Sequence, residues 1–385
     1  MIYLDYAATS FHKPDCVIDA VVNALKSQGN ANRGTHNATL SSSRTVYDTR
    51  VKLAEFFNGP SASNIIFTAN STEALNIAIM GTINAGDKVV TTDTEHNSVL
   101  RPLYYLQKEK NIDLHFIKAN KQGKLDISDF EKTIDDKTKV VVVNQASNLT
   151  GLYLDIKKIA EITHKHGAIL IVDGSQSAGS VKIDVKDLDI DIFCFTGHKS
   201  MLGPQGTGGL VIKEGIEIRA FKRGGTGIKT YSEEQPSDYP TRLEAGTLNA
   251  HGIAGLNVAI DYLNDKSKGL EFIEKHERDL LIYFYENVKD IDGIKIYGDF
   301  SQIHDYKVWH APILSINIKD YESGEVSDYL SNEYGIATRP GGHCAPRLHM
   351  ALGTKDQGIV RFSIGYMTTK EEIDKAIDAI KTIAK

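Results

Sequence analysis

The sequence lacks most of what would mark a secreted, membrane-bound or nucleic-acid-binding protein. Only three cysteines occur in 385 residues, Cys16, Cys194 and Cys344, far apart and without a CxxC pair. That excludes a disulfide framework and a cysteine-rich structural zinc site, so a reducing cytoplasm and no bound metal are expected. Nowhere do eighteen apolar residues run together, and Met1 to Tyr6 carry neither a positive cluster nor a long apolar stretch. No membrane span or secretion signal is therefore expected. Basic residues are not in excess either: 44 Lys and Arg stand against 50 Asp and Glu, a net charge of -6. Neither nucleic acid nor an anionic membrane is an expected partner. Repeats and low-complexity segments are missing as well. A 41% hydrophobic, 24% charged chain of this length is an ordinary globular protein suited to small-molecule chemistry.

What is present is an alternation of short apolar runs with amphipathic segments. Ile65 to Thr68, Lys88 to Thr91, Val140 to Val143, Ala168 to Asp173 and Ile190 to Phe195 are β-branched and aromatic with little polar alternation. Strands buried on both faces look like this, so the expected fold is α/β, a mostly parallel sheet sandwiched by helices. Ile156, Ile159, Ala160 and Thr163 recur on one helical face, and Gly167 stops that helix. After Thr247 the pattern changes to one long helical stretch from about Gly252 to Val288, then two apolar runs and a C-terminal helix from Thr369. A large unit over 13–255 and a smaller α+β unit formed by 1–12 and 256–385 are expected, joined by a helix.

Two residues of the large unit stand out. Asp173 ends the run Ile169-Leu170-Ile171-Val172, the edge where open α/β sheets place ligands. Lys199 follows the next run in Thr196-Gly197-His198-Lys199, where base rates for a lone lysine favour solvent but the setting is a buried strand end followed by a Gly-rich turn, Gly203 to Gly209. A lysine amine forms a Schiff base with an aldehyde, and a carboxylate can hold a pyridinium nitrogen protonated; together they point to pyridoxal 5'-phosphate. Asn70-Ser71-Thr72-Glu73 opens a helix after a strand, and its free amides suit a phosphate, although an ordinary capped helix reads the same way. The glycines do not form a dinucleotide fingerprint, because they precede a strand. His96, after the run ending at Asp93, is placed to stack on a ring. Cys344, in Arg339-Pro340-Gly341-Gly342-His343-Cys344, is a candidate nucleophile beside two basic side chains. Arg361, in an apolar run, needs a carboxylate partner, and a substrate is one such partner.

In that order, Asn70 to Ala74, Asp173-Gly174-Ser175-Gln176, Thr196 to Lys199 and Arg339 to Cys344 resemble the class V aminotransferase family, and within it the cysteine desulfurases. The resemblance covers nearly the whole chain. It implies a fold-type I pyridoxal 5'-phosphate enzyme in which Lys199 binds the cofactor aldehyde, Asp173 pairs with the ring nitrogen, His96 stacks on the ring and Gln176 meets the ring oxygen. Ser71, Thr72, Thr196 and His198 would hold the phosphate, with Thr247 reaching over from the second subunit of a homodimer. Asn148, which also lies against the cofactor, would grip the substrate amino acid together with Asn32, His36, Arg339 and Arg361. By the same resemblance Cys344 would take sulfur from L-cysteine as a persulfide, leaving L-alanine, and pass it to a dedicated acceptor protein. The short cysteine loop is similar to the sulfur-mobilising group that serves iron-sulfur cluster assembly. Departures exist: Pro340-Gly341-Gly342 replaces a threonine and paired histidines, Ser175 replaces alanine, and Lys199-Ser200-Met201-Leu202 is unusual. L-selenocysteine therefore stands beside L-cysteine as a substrate, and a selenocysteine lyase, another β-lyase or a true aminotransferase as alternatives. A non-catalytic scaffold or a nucleotide-dependent oxidoreductase would need neither Asp173 nor Lys199.

Overall fold

A computed structural model describes residues 1–31 and 36–385. The chain begins with β1 (Ile2–Tyr3) and two helices, α1 (Asp15–Ser27) and α2 (Asn37–Phe56). Seven strands then build the central sheet: β2 (Ile65–Thr68), β3 (Lys88–Thr92), β4 (Asp113–Ile117), β5 (Thr138–Asn144), β6 (Ile169–Asp173), β7 (Ile192–Thr196) and β8 (Gly208–Ile212). Between them run α3 (Ser71–Thr82), α4 (Asn97–Lys110), α5 (Ile127–Thr133) and α6 (Ile156–Lys165). The sheet order is β2-β8-β7-β6-β5-β3-β4, and only β8 runs against its neighbours. The expected mostly parallel α/β sheet is therefore observed. Its strands are buried on both faces, with Val140 to Val143 and Leu170 to Val172 close to fully buried, because helices cover each side.

Local signals explain the elements. Asn70 caps α3, its side chain accepting from the Glu73 amide at 2.9 Å, while the Glu73 carboxylate accepts from the Ala69 amide at 2.6 Å, a capping box moved by one residue. Asp155 caps α6 through the Lys158 amide, and Gly167 follows its end with a φ of +67°. The Gly-rich turn after Lys199 serves packing: a Cβ on Gly208 would lie 2.8 Å from the Phe195 carbonyl and 2.9 Å from the Asn70 backbone, so glycine lets β8 slot between β7 and β2.

The long helix expected from Gly252 to Val288 is two, α7 (Ala250–Leu263) and α8 (Leu270–Val288). The polar segment Asn264 to Gly269 breaks it: the Asp265 carboxylate takes the Ser267 amide and hydroxyl, so that amide leaves the helix ladder. The rest comprises β9 (Ile294–Tyr297), β10 (Ile313–Ile318), α9 (Ser323–Tyr334), β11 (Ile336–Ala337), α10 (Pro346–Leu352), β12 (Val360–Ser363) and α11 (Lys370–Ala384). β9, β10 and β12 form an antiparallel sheet, and β1 pairs with β11. Of the three main apolar clusters, one fills a face of the central sheet, and the remaining two divide along α8. Leu256, Ile260 and Ile273 pack with the central sheet, whereas Leu280, Leu281 and Phe284 pack with Ile2, Leu4, Ile316, Phe362 and α11. Among the described residues no helix is long and apolar enough to cross a membrane, and no cluster of His, Cys, Asp or Glu is arranged to hold a metal.

Candidate active site

A cavity of about 210 Å³ opens where β5, β6 and β7 end, with residues after β11 and in β12 completing its lining. The strand ends supply Asn144, Asp173 and, two and three residues beyond β7, His198 and Lys199. Ser71 and Thr72 enter from the first turn of α3, His96 and Ser98 from the start of α4, and Arg339, His343 and Arg361 from the second unit. Asn148 and Gln176 complete the predicted set that lines it. This is the carboxyl edge at which parallel sheets present ligand sites.

Charge is arranged with care in this space. Burial lowers the Lys199 amine to about 8, with Arg361 and Arg339 adding to the effect and Asp173 opposing it. Its Nζ makes no hydrogen bond or ion pair among the described residues. Asp173 accepts from the Ser175 amide at 2.9 Å and from the Ser175 hydroxyl, which also meets the Ser71 hydroxyl at 2.8 Å. Ser175 thus ties the carboxylate to the start of α3. Burial holds His96 down at about 4, so its ring is neutral near pH 7. Its Nδ1 accepts from the Ser98 amide at 3.0 Å, which leaves the ring proton on Nε2. Burial also lowers His198 to about 4, with its Nδ1 3.0 Å from the Thr9 hydroxyl. The Ser71 and Thr72 amides, in the first turn of α3, have no intrahelical acceptor and make an anion-ready corner.

Several expectations take a different form. Arg361, 1% exposed, already has its carboxylate: Asp5 accepts from Nη2 at 2.7 Å, and the Asn148 carbonyl accepts from Nη1 at 2.9 Å. This pairing spans 356 residues of the chain and leaves the Arg361 Nε without a partner on a residue that lines the cavity. Arg339 is the contrasting cation, since its guanidinium has no partner among the described residues. Thr196 lies buried at the end of β7 with its hydroxyl unpaired, but not on the cavity wall. Thr247 is exposed away from it, and His36 is exposed and bonded to Thr39 at 3.2 Å. Asn32 lies outside the described residues.

Cys344 is not on this wall. It faces a second hollow, which shares Arg339 and His343 with the first. Its loop is short and tied down. The Cys344 carbonyl accepts from the Asn97 amide at 2.8 Å, the His343 carbonyl from Asn148 Nδ2 at 2.8 Å, and His343 Nε2 donates to the Arg339 carbonyl at 3.0 Å. Sequence reasoning missed Asn144 and Glu95. Asn144 closes its valine run as Asp173 closes the next, a parallel that could have exposed it. Glu95, fully buried, accepts from Thr92 Oγ1 and the Asn144 amide, and burial pushes its carboxyl up to about 8.

The class-V aminotransferase family model matches residues 2–376. The chain belongs to that family. Over its whole length it is 36% identical to a probable cysteine desulfurase of Methanothermobacter thermautotrophicus, covering 94% of that protein. It is 34% identical to a cysteine desulfurase of Haloferax volcanii over 99% of this chain and 88% of the other. The apo structure of a cysteine desulfurase from Thermococcus onnurineus NA1 superposes with a TM-score of 0.92 at 32% identity, covering 100% of this chain and 94% of that one. A cysteine desulfurase from Escherichia coli in an S-sulfonic acid form gives 0.87 at 26% identity, with 99% and 94% covered.

Proposed function

We propose that this member of the class V aminotransferase family is a pyridoxal 5'-phosphate-dependent cysteine desulfurase that converts L-cysteine to L-alanine and receives the sulfur on Cys344. The observation that carries the reading is the pair of adjoining hollows, one with Lys199 opposite Asp173 and the other with Cys344, sharing Arg339 and His343 as a common wall. The residues fit the cofactor. A phosphate suits the first-turn amides and hydroxyls of Ser71 and Thr72, which line the cavity. When bound, pyridoxal phosphate supplies a carbonyl for an amine to attack and a ring that withdraws electrons from the amino-acid Cα.

The chain's own groups do the rest. Asp173 keeps a carboxylate at the strand edge for the ring nitrogen, held by Ser175. Lys199, its amine lowered to about 8, is neutral often enough near pH 7 to attack a carbonyl and then to carry the proton between Cα and Cβ. Neutral His96 presents a flat, uncharged face to a ring. Arg339, whose guanidinium has no partner among the described residues, and Arg361, which Asp5 holds through Nη2 while its Nε stays unpaired, are the cations that would meet a substrate carboxylate. Burial holds His343 at about 3, so it is neutral, and with Nε2 donating to Arg339 its unpaired Nδ1 is an acceptor one residue from the Cys344 thiol. The net sulfur step balances: the S–S bond forms at Cys344, the substrate C–S bond breaks, and carbon takes up the pair and a proton.

A second copy of the chain is part of the reading. Ile18, Val22 and Leu25 form an exposed apolar stripe along α1, with exposed Phe11 before it, and Thr247 is exposed as well. The half-buried Cys344, lining a hollow beside the Lys199 cavity, suits transfer to an acceptor protein. Mass spectrometry of the loaded enzyme after L-cysteine tests the central claim. A persulfide on Cys344 with alanine in solution is expected, and Cys344→Ser should lose both while keeping the cofactor absorption band. Undiminished alanine release by Cys344→Ser would overturn it; the same comparison with L-selenocysteine reveals whether selenium release bypasses the thiol.

A further inference from the structure

A third cavity, of about 270 Å³, lies between the sheet-bearing unit and the second unit and has no lining residue in common with the Lys199 cavity. Its floor is apolar and aromatic: Phe130 and Leu125 on one side, Ile303 on the other, and the rings of Tyr153 and Trp309 meeting edge to face at 5.5 Å. Most of the charged groups on its wall are already matched. Lys124 pairs with Asp299 at 3.0 Å, Lys158 with Glu161 at 3.0 Å, and Asp155 caps α6.

Arg278 is not matched by a carboxylate, although its guanidinium lies over the Tyr306 ring, 5.9 Å from the centroid. It is 6% exposed, forms no ion pair among the described residues, and leaves Nε and Nη1 without a partner, while Nη2 reaches three carbonyls of the 302–308 segment at 3.1 to 3.4 Å. His310, 7% exposed, donates from Nδ1 to the Ala311 carbonyl at 2.7 Å. Its Nε2 is therefore a lone-pair acceptor, and it too has no partner. Burial holds His310 at about 4, so the ring stays neutral near pH 7. A buried guanidinium with free donors calls for an anion, and a buried imidazole lone pair calls for a donor. One small molecule can meet both while its apolar part covers Trp309 and Tyr153.

We infer that this cavity is a binding site for a small carboxylic acid that bears a hydroxyl or amino donor beside the carboxylate and an apolar body of aromatic-ring size, the carboxylate on Arg278 and the donor on His310. Such a ligand touches both units at once. It also bears on the Lys199 site, because the Ala311 amide donates to the Gly151 carbonyl at 2.9 Å, and Gly151 belongs to the loop whose Asn148 carbonyl holds Arg361. The inference stands apart from the desulfurase reading, since its test reads binding alone.

Trp309 is the only tryptophan, so its emission in the cofactor-loaded protein reports occupancy of this cavity. Titration with 3-phenyllactate should give a saturable change with millimolar or tighter affinity. Arg278→Gln should weaken it about tenfold or more, as expected for a lost charge-assisted pair. Leu125→Phe, which fills the apolar floor and leaves Arg278 alone, should weaken it similarly and decides the matter if Arg278→Gln does not fold. Arg339→Ala, in the catalytic cavity, should leave the affinity within about twofold. 3-Phenylpropionate, which lacks the hydroxyl, should bind several times more weakly. No saturation by about 10 mM overturns the site. So does wild-type affinity in both Arg278→Gln and Leu125→Phe, or loss of binding in Arg339→Ala. Equal binding of the two acids overturns the role given to His310.

Discussion

Lys199 follows a fully buried strand of the central sheet, whereas Cys344 stands on a loop of the second unit where His343 and Cys344 both hold positive φ, 48° and 56°. The first is fixed by covalent continuity with β7 and by packing on both faces of the sheet. The second is fixed by three hydrogen bonds, to Asn97, Asn148 and the Arg339 carbonyl, and by two residues in a conformation that costs about 1 kcal/mol or more each outside glycine. The two mountings suit two tasks. A group that must hold one geometry against a bound ring is best set on a strand end, and a group that must meet a substrate on one side and a partner on the other is better set on a tethered loop.

The contrast can be broken from either end. Lys199→Ala should have the largest effect: alanine formation from L-cysteine should fall by about 10³-fold or more, and borohydride should no longer fix the cofactor to the protein. Retained fixation would mean that another lysine holds it. Asp5→Asn comes next. It leaves Arg361 charged and buried without its carboxylate, which should cost about 3 kcal/mol in denaturant unfolding and loosen the attachment of the N-terminal segment to β12. Unchanged unfolding would show that Arg361 does not join the two ends of the chain energetically.

The smallest effect is a pH dependence. Burial lowers the Lys199 amine from 10.5 to about 8, so the free amine is a minority below pH 8 and dominant above it. Recombination of the apoprotein with pyridoxal phosphate, followed by absorbance, should speed up about tenfold per pH unit below 8 and level off above. A rate still climbing at pH 10 would place the amine at its ordinary value and remove the electrostatic distinction between the two mountings.

The sheet was legible in the sequence because strands buried on both faces cannot hide their β-branched runs, and Asp173 and Lys199 were legible because they stand where those runs stop. Asn70 as a cap followed from local chemistry alone. What could not be read depends on contacts between distant parts. The carboxylate on Arg361 is Asp5, at the other end of the chain. The long helix after Gly252 was misjudged because its break, Asn264 to Gly269, carries its signal in polar side chains that capture backbone amides, not in a proline. Cys344 was found as a residue, but its separation from the Lys199 cavity needed coordinates, since loop direction is set by bonds to α4 and to Asn148.

The bond from the Asn97 amide to the Cys344 carbonyl joins neighbours of unlike purpose, because His96, the preceding residue, lines the Lys199 cavity. Lifting the loop breaks that bond, at about 1 kcal/mol, and uncovers the positive end of α4 beside the cavity. Negative charge gathering in the cavity would draw on the same amide. The carbonyl of Cys344 and an anion near His96 are thus rivals for one donor, and the filling of one hollow is felt as slack in the wall of the other.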